Sequence, residues 1–265
     1  MQSEQNVILT EKYNDYISQF RDSSGVLPAM HRLKSEHSRR VAKESKDIAQ
    51  KLGWSEADVL TAEMCGLYHD IGRYSQFAMY KTFDDSKSVN HGRQGFEILN
   101  DTDYLSFADP TDSDLIKDCA LYHNCFDLPN DISPQSARFL KLIRDSDKLD
   151  ILFIMREAIK NGKLESTPEL IWELPVYSEP SEKIIQALQT RKTASFKDAK
   201  SGSDICLLQL CWLYNMNYEI TLHKILKMQI IETVESIFTK NDKISEILYL
   251  LKKFLAELVK TKSNP

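Results

Sequence analysis

Four histidines and two aspartates stand out as side chains that could do chemistry together: His37, the adjacent pair His69–Asp70, His91, His123 and Asp147. Imidazole and carboxylate in one set suit zinc, manganese, iron, cobalt or nickel. The His-Asp dipeptide alone decides nothing. Six histidines and 21 aspartates in 265 residues give about half such a pair by chance. The members sit at the ends or on the inner faces of expected helices, and converging helices can deliver ligands to one point. A one-ion centre would use His37, His69, Asp70 and Asp147 and leave positions open for water and substrate. A two-ion centre would let Asp70 bridge, with His91 and His123 holding the second ion. Two ions about 3.5–4 Å apart can clamp an in-line displacement at phosphorus.

The elements that must position these residues read as helices. From about Pro28 to Leu52, His37, Val41, Ser45, Ile48 and Leu52 recur at three- and four-residue steps, which puts His37 on the apolar stripe. Gly53 ends that helix. Ser55 starts the next, with Asp58 three residues on, as in a capping box. Val59, Ala62, Gly66 and Asp70 share one face of it, and Gly72 is expected to stop it. Residues 73–89 lack a clean period and are expected to form a loop. A helix should begin near Asn90 with His91 in its first turn, another should span about 112–124, and a long one about 134–161. Residues 162–180, with Gly162, Pro168, Pro175 and Pro180, read as a connector. The last third is helical again, ending on a stripe of Ile244, Ile247, Leu248, Leu251, Leu255 and Leu258.

Composition agrees with an all-α reading. Glycine and proline number eight each, few for a turn-rich β architecture, while 42% hydrophobic residues can fill a core. A net charge of −5 without a lysine/arginine run argues against non-specific nucleic-acid binding. The chain shows no secretory signal and no apolar stretch long enough for a membrane. Its five scattered cysteines form no CxxC pair and suit reduced thiols, so a cytoplasmic location is expected.

Several segments resemble the HD-domain metal-dependent phosphohydrolase superfamily. HSRRVAKESKDIAQKLGW is similar to the family's first-histidine helix, CGLYHDIGR to its HD signature, and RDSDKLDIL to its closing aspartate motif. HDIGRYSQFAMYKTFDDSKSVNHGRQGFEIL, LYHNCFDLP and DICLLQLCWLYNMNYEITL resemble stretches of an uncharacterised bacterial subgroup. The resemblance implies an all-α HD-domain helical bundle with additional C-terminal helices. We expect an N-terminal helix over 1–24, a metal-binding core over 25–161 and a C-terminal extension over 162–265 packed on the core. It implies metal ligation by His37, His69, Asp70 and Asp147, the last preferred over Asp145, and extends to His91 and His123 in members with two metals. The catalytic set would be Asp70, His91 and His123. The cofactor would be one or two divalent ions of Mn, Fe, Co, Ni or Zn. The expected reaction is hydrolysis of a phosphoester of a nucleotide or small phosphorylated metabolite by a metal-activated water. A cyclic-dinucleotide substrate is disfavoured, because the paired histidines and Gly-Tyr-Pro motif of that branch are missing. A di-iron oxygenase and a non-catalytic regulatory protein are the alternatives.

Phosphate also needs cations. Arg73 and Lys148 adjoin the ligands, and Arg93 and Lys81 are further candidates for binding substrate. Tyr74, Phe77, Tyr80 and Phe83 would pack in the core or stack on a base, while His31 and His223 are assigned structural or surface roles.

Overall fold

A computed structural model describes residues 1–167, 170–172, 174–238 and 241–262. Pro168, placed in the connector above, lies outside them. Among the described residues every regular element is helical: α1 (Ser3–Ser18), α2 (Ala29–Lys51), α3 (Glu56–Tyr68), α4 (Gly72–Tyr80), α5 (His91–Asp101), α6 (Pro110–Tyr122), α7 (Pro134–Lys160), α8 (Glu182–Gln189), α9 (Gly202–Cys211), α10 (Glu219–Met228), α11 (Ile230–Glu235) and α12 (Asp242–Lys262). The all-α expectation holds. None of these helices is long and apolar enough to cross a membrane. The chain divides into two compact units, residues 1–147 and 148–265, with the division inside α7.

In the first unit, α2 buries the stripe read from the sequence. Small residues (Ser38, Ala42, Ser45 and Ala49) follow one side of it. They let α3 lie close, and Gly66 marks the contact: a Cβ built there would stand 2.8 Å from Ala42 Cα and 2.9 Å from Ser45 Oγ. Ser55 caps α3 by accepting from the Asp58 amide, and Gly53, at φ +69°, supplies the left-handed turn before it. Helix α3 also packs on α1 and α6, and α5 packs on α4 and α6. The N-terminal helix is tied in by Tyr13 Oη to Tyr74 Oη at 2.7 Å and by Tyr68 Oη donating to Leu9 O at 2.6 Å. His31 stacks against Phe20 and Tyr74 and bonds to Tyr74 O at 3.0 Å, a packing role as assigned.

One expectation fails. Gly72 does not stop a helix and residues 73–89 are not all loop, because α4 runs from Gly72 to Tyr80. The glycine is there for proximity. A Cβ at Gly72 would lie 2.1 Å from His91 O and 2.6 Å from Gly95 N. Helix α5 therefore crosses α4 at backbone contact, and the glycine gives the space that a terminator reading misses.

In the second unit, α9 is buried all round, including Ile205, Leu207, Leu208 and Leu210. Ser201 caps it, and the buried Asp204 carboxylate accepts from the Ser181 and Lys200 amides. Helix α9 packs on α8 and α11, and α12 on α8, α10 and α11. The α12 stripe is buried at Ile244, Ile247, Leu248, Leu251 and Leu255. His223 sits at the surface beside Glu219. All five cysteines are free; Cys125 is half-buried and the rest are buried.

The close α2–α3 contact makes a prediction. Gly66→Ala meets backbone, which cannot rotate away, so it destabilises the protein by about 1–3 kcal/mol. A thermal melt checks this; an unchanged Tm would contradict the packing described.

Candidate metal centre

The six donor residues arrive from five places in the first unit. His37 comes from the middle of α2, His69 from the end of α3, and Asp70 from the turn into α4. His91 opens α5, where Asn90 caps the helix by accepting from the Arg93 amide. His123 closes α6, and Asp147 comes from α7. The fold brings them together. Asp70 lies at the centre and its two oxygens face different partners. Oδ2 is 3.7 Å from His37 Nε2 and 3.8 Å from His69 Nε2. Oδ1 is 3.4 Å from His91 Nε2 and 3.5 Å from His123 Nε2. Asp147 Oδ1 closes the first side, 3.1 Å from His37 Nε2 and 3.8 Å from His69 Nε2. Asp145 is fully buried. Two groups of donors could hold an ion: His37, His69 and Asp70, and Asp70, His91 and His123.

The hydrogen bonds on the far side of each ring decide what the near side offers. His69 Nδ1 is 2.7 Å from Gly66 O, and His123 Nδ1 is 3.0 Å from Ala120 O and 3.1 Å from Cys119 O. His91 Nδ1 is 2.7 Å from Asp85 Oδ2. Carbonyl and carboxylate oxygens only accept, so these three rings carry the proton on Nδ1 and present a lone pair at Nε2. His69 Nε2 is buried and has no hydrogen-bond partner. His91 Nε2 and His123 Nε2 face each other at 3.1 Å with no proton between them. Two imidazole nitrogens on one ion, each at about 2.1 Å and at a right angle, would be about 3 Å apart. The donor set therefore fits a divalent transition metal on each side of Asp70.

Charge points the same way. Burial opposes ionisation of Asp70, but Lys34 and Arg73 overcome it and hold the carboxyl well below the usual range. Lys34 Nζ lies 2.8 Å from Oδ2, and Arg73 Nε 3.4 Å from Oδ1. Burial likewise opposes ionisation of Asp85, yet the hydrogen bond from His91 and the Arg73 guanidinium bring its carboxyl down to about 2. Asp147 is also held down, against burial, by the hydrogen bond with His37. These three carboxylates face two fixed cations, which leaves negative charge to offer an ion. Burial lowers His69 to about 4, and burial with the nearby Arg73 lowers His91 to about 3, so both rings stay neutral and ready to ligate.

The proposed cation contacts divide. Arg73 is at the centre: besides Asp70, its Nη1 donates to Phe83 O at 2.6 Å and to Asp85 Oδ1 at 3.0 Å. Arg93 is not brought there; its side chain is 77% exposed and pairs with Glu97. Lys81 is exposed at the left-handed C-cap of α4, and Lys148 follows Asp147 in α7, partly buried. Tyr74 is core, Tyr80 is exposed, and Phe77 packs on Phe83, whose ring lies near Lys34 and Arg73. The sequence reading missed Lys34 and Asp85. Lys34 was findable, one helical turn before His37 on the same stripe. Asp85 was not, because it sits in an aperiodic segment.

Comparison with known proteins gives one family. The HD-domain model matches residues 35–154, a span that contains all six donors. No curated protein and no solved structure gives a significant match.

The neutral rings make stability depend on pH. In the unfolded chain His69 and His91 take up protons near pH 6.5, whereas in the folded metal-free protein they resist down to about 4 and about 3. Across that window the unfolded state binds more protons. Stability is full above pH 6.5 and falls on acidification, by up to about 1.4 kcal/mol per pH unit for each ring. The depressed carboxylates add a further loss below about pH 4. Melts of metal-free protein from pH 7 to 4.5 should show Tm falling, and His69→Gln should flatten the slope. A Tm independent of pH over this range would contradict neutral buried rings.

Proposed function

We propose, from the match of residues 35–154 to the HD-domain model and the resemblance to metal-dependent phosphohydrolases, that this chain hydrolyses a phosphoester of a nucleotide or another small phosphorylated metabolite. The centre would hold two divalent ions, of Mn, Fe, Co, Ni or Zn, bridged by Asp70. One observation carries the two-ion reading: the two Asp70 oxygens are directed at separate histidine pairs. His37, His69 and Asp147 would complete one site, His91 and His123 the other.

Ions held there supply Lewis acidity and make hydroxide available near neutral pH. The protein's own groups do the rest. The Nδ1 bonds of His69, His91 and His123 fix ring orientation, so the donors need not reorganise on binding. Lys34 and Arg73 bring positive charge to the same carboxylate and can bind the oxygens of a phosphoryl group, Arg73 through a planar fork suited to them. The Phe83 ring lies beside both cations, 5.2 Å from Lys34 Nζ and 5.8 Å from Arg73 Cζ.

The test is phosphate release from a panel of nucleotides and sugar phosphates, with each metal in turn. Loss of the bridging carboxylate in Asp70→Asn removes several kcal/mol of charge stabilisation. Release should then fall on the order of 100- to 1,000-fold. Iron-dependent oxygen uptake without phosphate release would replace this reading with the oxygenase one. A metal-free, folded and inert protein would replace it with the regulatory one.

A further inference from the structure

Asp85 belongs to no helix of the bundle. It lies in a 3₁₀ turn, Asp85–Lys87, between α4 and α5, with Asp84 capping the turn through the Ser86 amide. Yet donors from four residues converge on its carboxylate. Oδ1 accepts from Arg73 Nη1 at 3.0 Å and from Gln76 Nε2 at 2.9 Å, and lies 2.9 Å from His91 Nδ1. Oδ2 lies 2.7 Å from His91 Nδ1 and accepts from the His91 amide and Asn124 Nδ2, each at 3.4 Å. Gln76 is itself fully buried and also donates to Ser88 Oγ and Val89 O, which ties the whole segment to α4.

The contrast with the other rings gives this arrangement its meaning. His69 and His123 rest their Nδ1 on neutral backbone carbonyls, whereas His91 rests on a carboxylate. An anionic acceptor polarises the imidazole and makes its other nitrogen the stronger donor. Arg73 works against this, since its charge beside His91 disfavours any positive charge on that ring. Asp85 sits between the two, 3.0 Å from the guanidinium and 2.7 Å from the ring.

We propose that Asp85 is the positioning residue of the second donor set: it locks His91 in the Nδ1–H tautomer, aims Nε2 at Asp70 and His123, and so sets the affinity of that set for its ion. This rests on the two-ion reading above. It also gives the 81–90 segment a part in metal binding, because Phe83 O and Asp85 hold the same guanidinium of Arg73.

The test uses metal-free full-length protein, as wild type, Asp85→Asn and Asp85→Ala. Mn²⁺ is titrated calorimetrically, and the imidazole nitrogens are followed by ¹⁵N NMR. In wild type we expect two equivalents and a His91 signal from the Nδ1–H tautomer. In Asp85→Ala the first equivalent should bind as before. The second should weaken about 10- to 100-fold, with the His91 tautomers mixed. Asp85→Asn, which keeps the shape and one acceptor oxygen, should fall between. A second affinity unchanged in both variants, or an unchanged His91 tautomer in Asp85→Ala, overturns the role of Asp85 while leaving the two-ion reading intact. A single equivalent in wild type overturns both.

Discussion

A carboxylate with its two oxygens turned toward two different pairs of imidazoles is the arrangement on which the rest of this structure depends. Asp70 is nearly fully buried, and a buried charge is stable only when partners surround it. Here the cations that stabilise it are Lys34 and Arg73, while four histidine nitrogens face its oxygens. The three rings whose far-side bonds are set by carbonyl or carboxylate oxygens point lone pairs inward. Such a cluster is electrostatically incomplete as protein alone. The buried Nε2 of His69 without a partner and the 3.1 Å approach of His91 to His123 express the same deficit.

Holding five chain segments at one point requires helices closer than ordinary side chains allow, and two glycines allow it. Gly66 lets α3 lie against the backbone of α2, which brings His69 to within ring contact of His37, 5.2 Å between centroids. Gly72 lets the start of α4 touch the start of α5, which sets His91 beside Asp70. The aromatic packing of Tyr13, Tyr68 and Tyr74 braces the outer side of the same turn. The packing links and the chemical links are therefore one set of contacts.

The sequence carries the donors and most of the helices. His37 could be placed because the α2 stripe has a regular period, and His91 because Asn90 makes a recognisable cap. Asp147, preferred over Asp145, faces His37 at 3.1 Å. What escaped reading has a common cause. Gly72 looks like a terminator in one dimension, and only the α5 backbone beside it shows that it is a spacer. Asp85 follows another aspartate in an aperiodic stretch, so nothing local distinguishes it from a solvated turn residue. Arg93 stands two residues from His91 in sequence, but a two-residue step on a helix turns the side chain away, and it faces solvent beside Glu97. The division inside α7 falls within an unbroken helical period, where composition does not change.

Metal content measures the central claim most directly. Elemental analysis of tag-free protein after saturation with Mn²⁺ and removal of excess should give close to two equivalents for wild type and close to one for His91→Ala with His123→Ala, the second donor set being gone and the first intact. One equivalent in both proteins would contradict a bridging Asp70 and leave a single ion among His37, His69, Asp70 and Asp147.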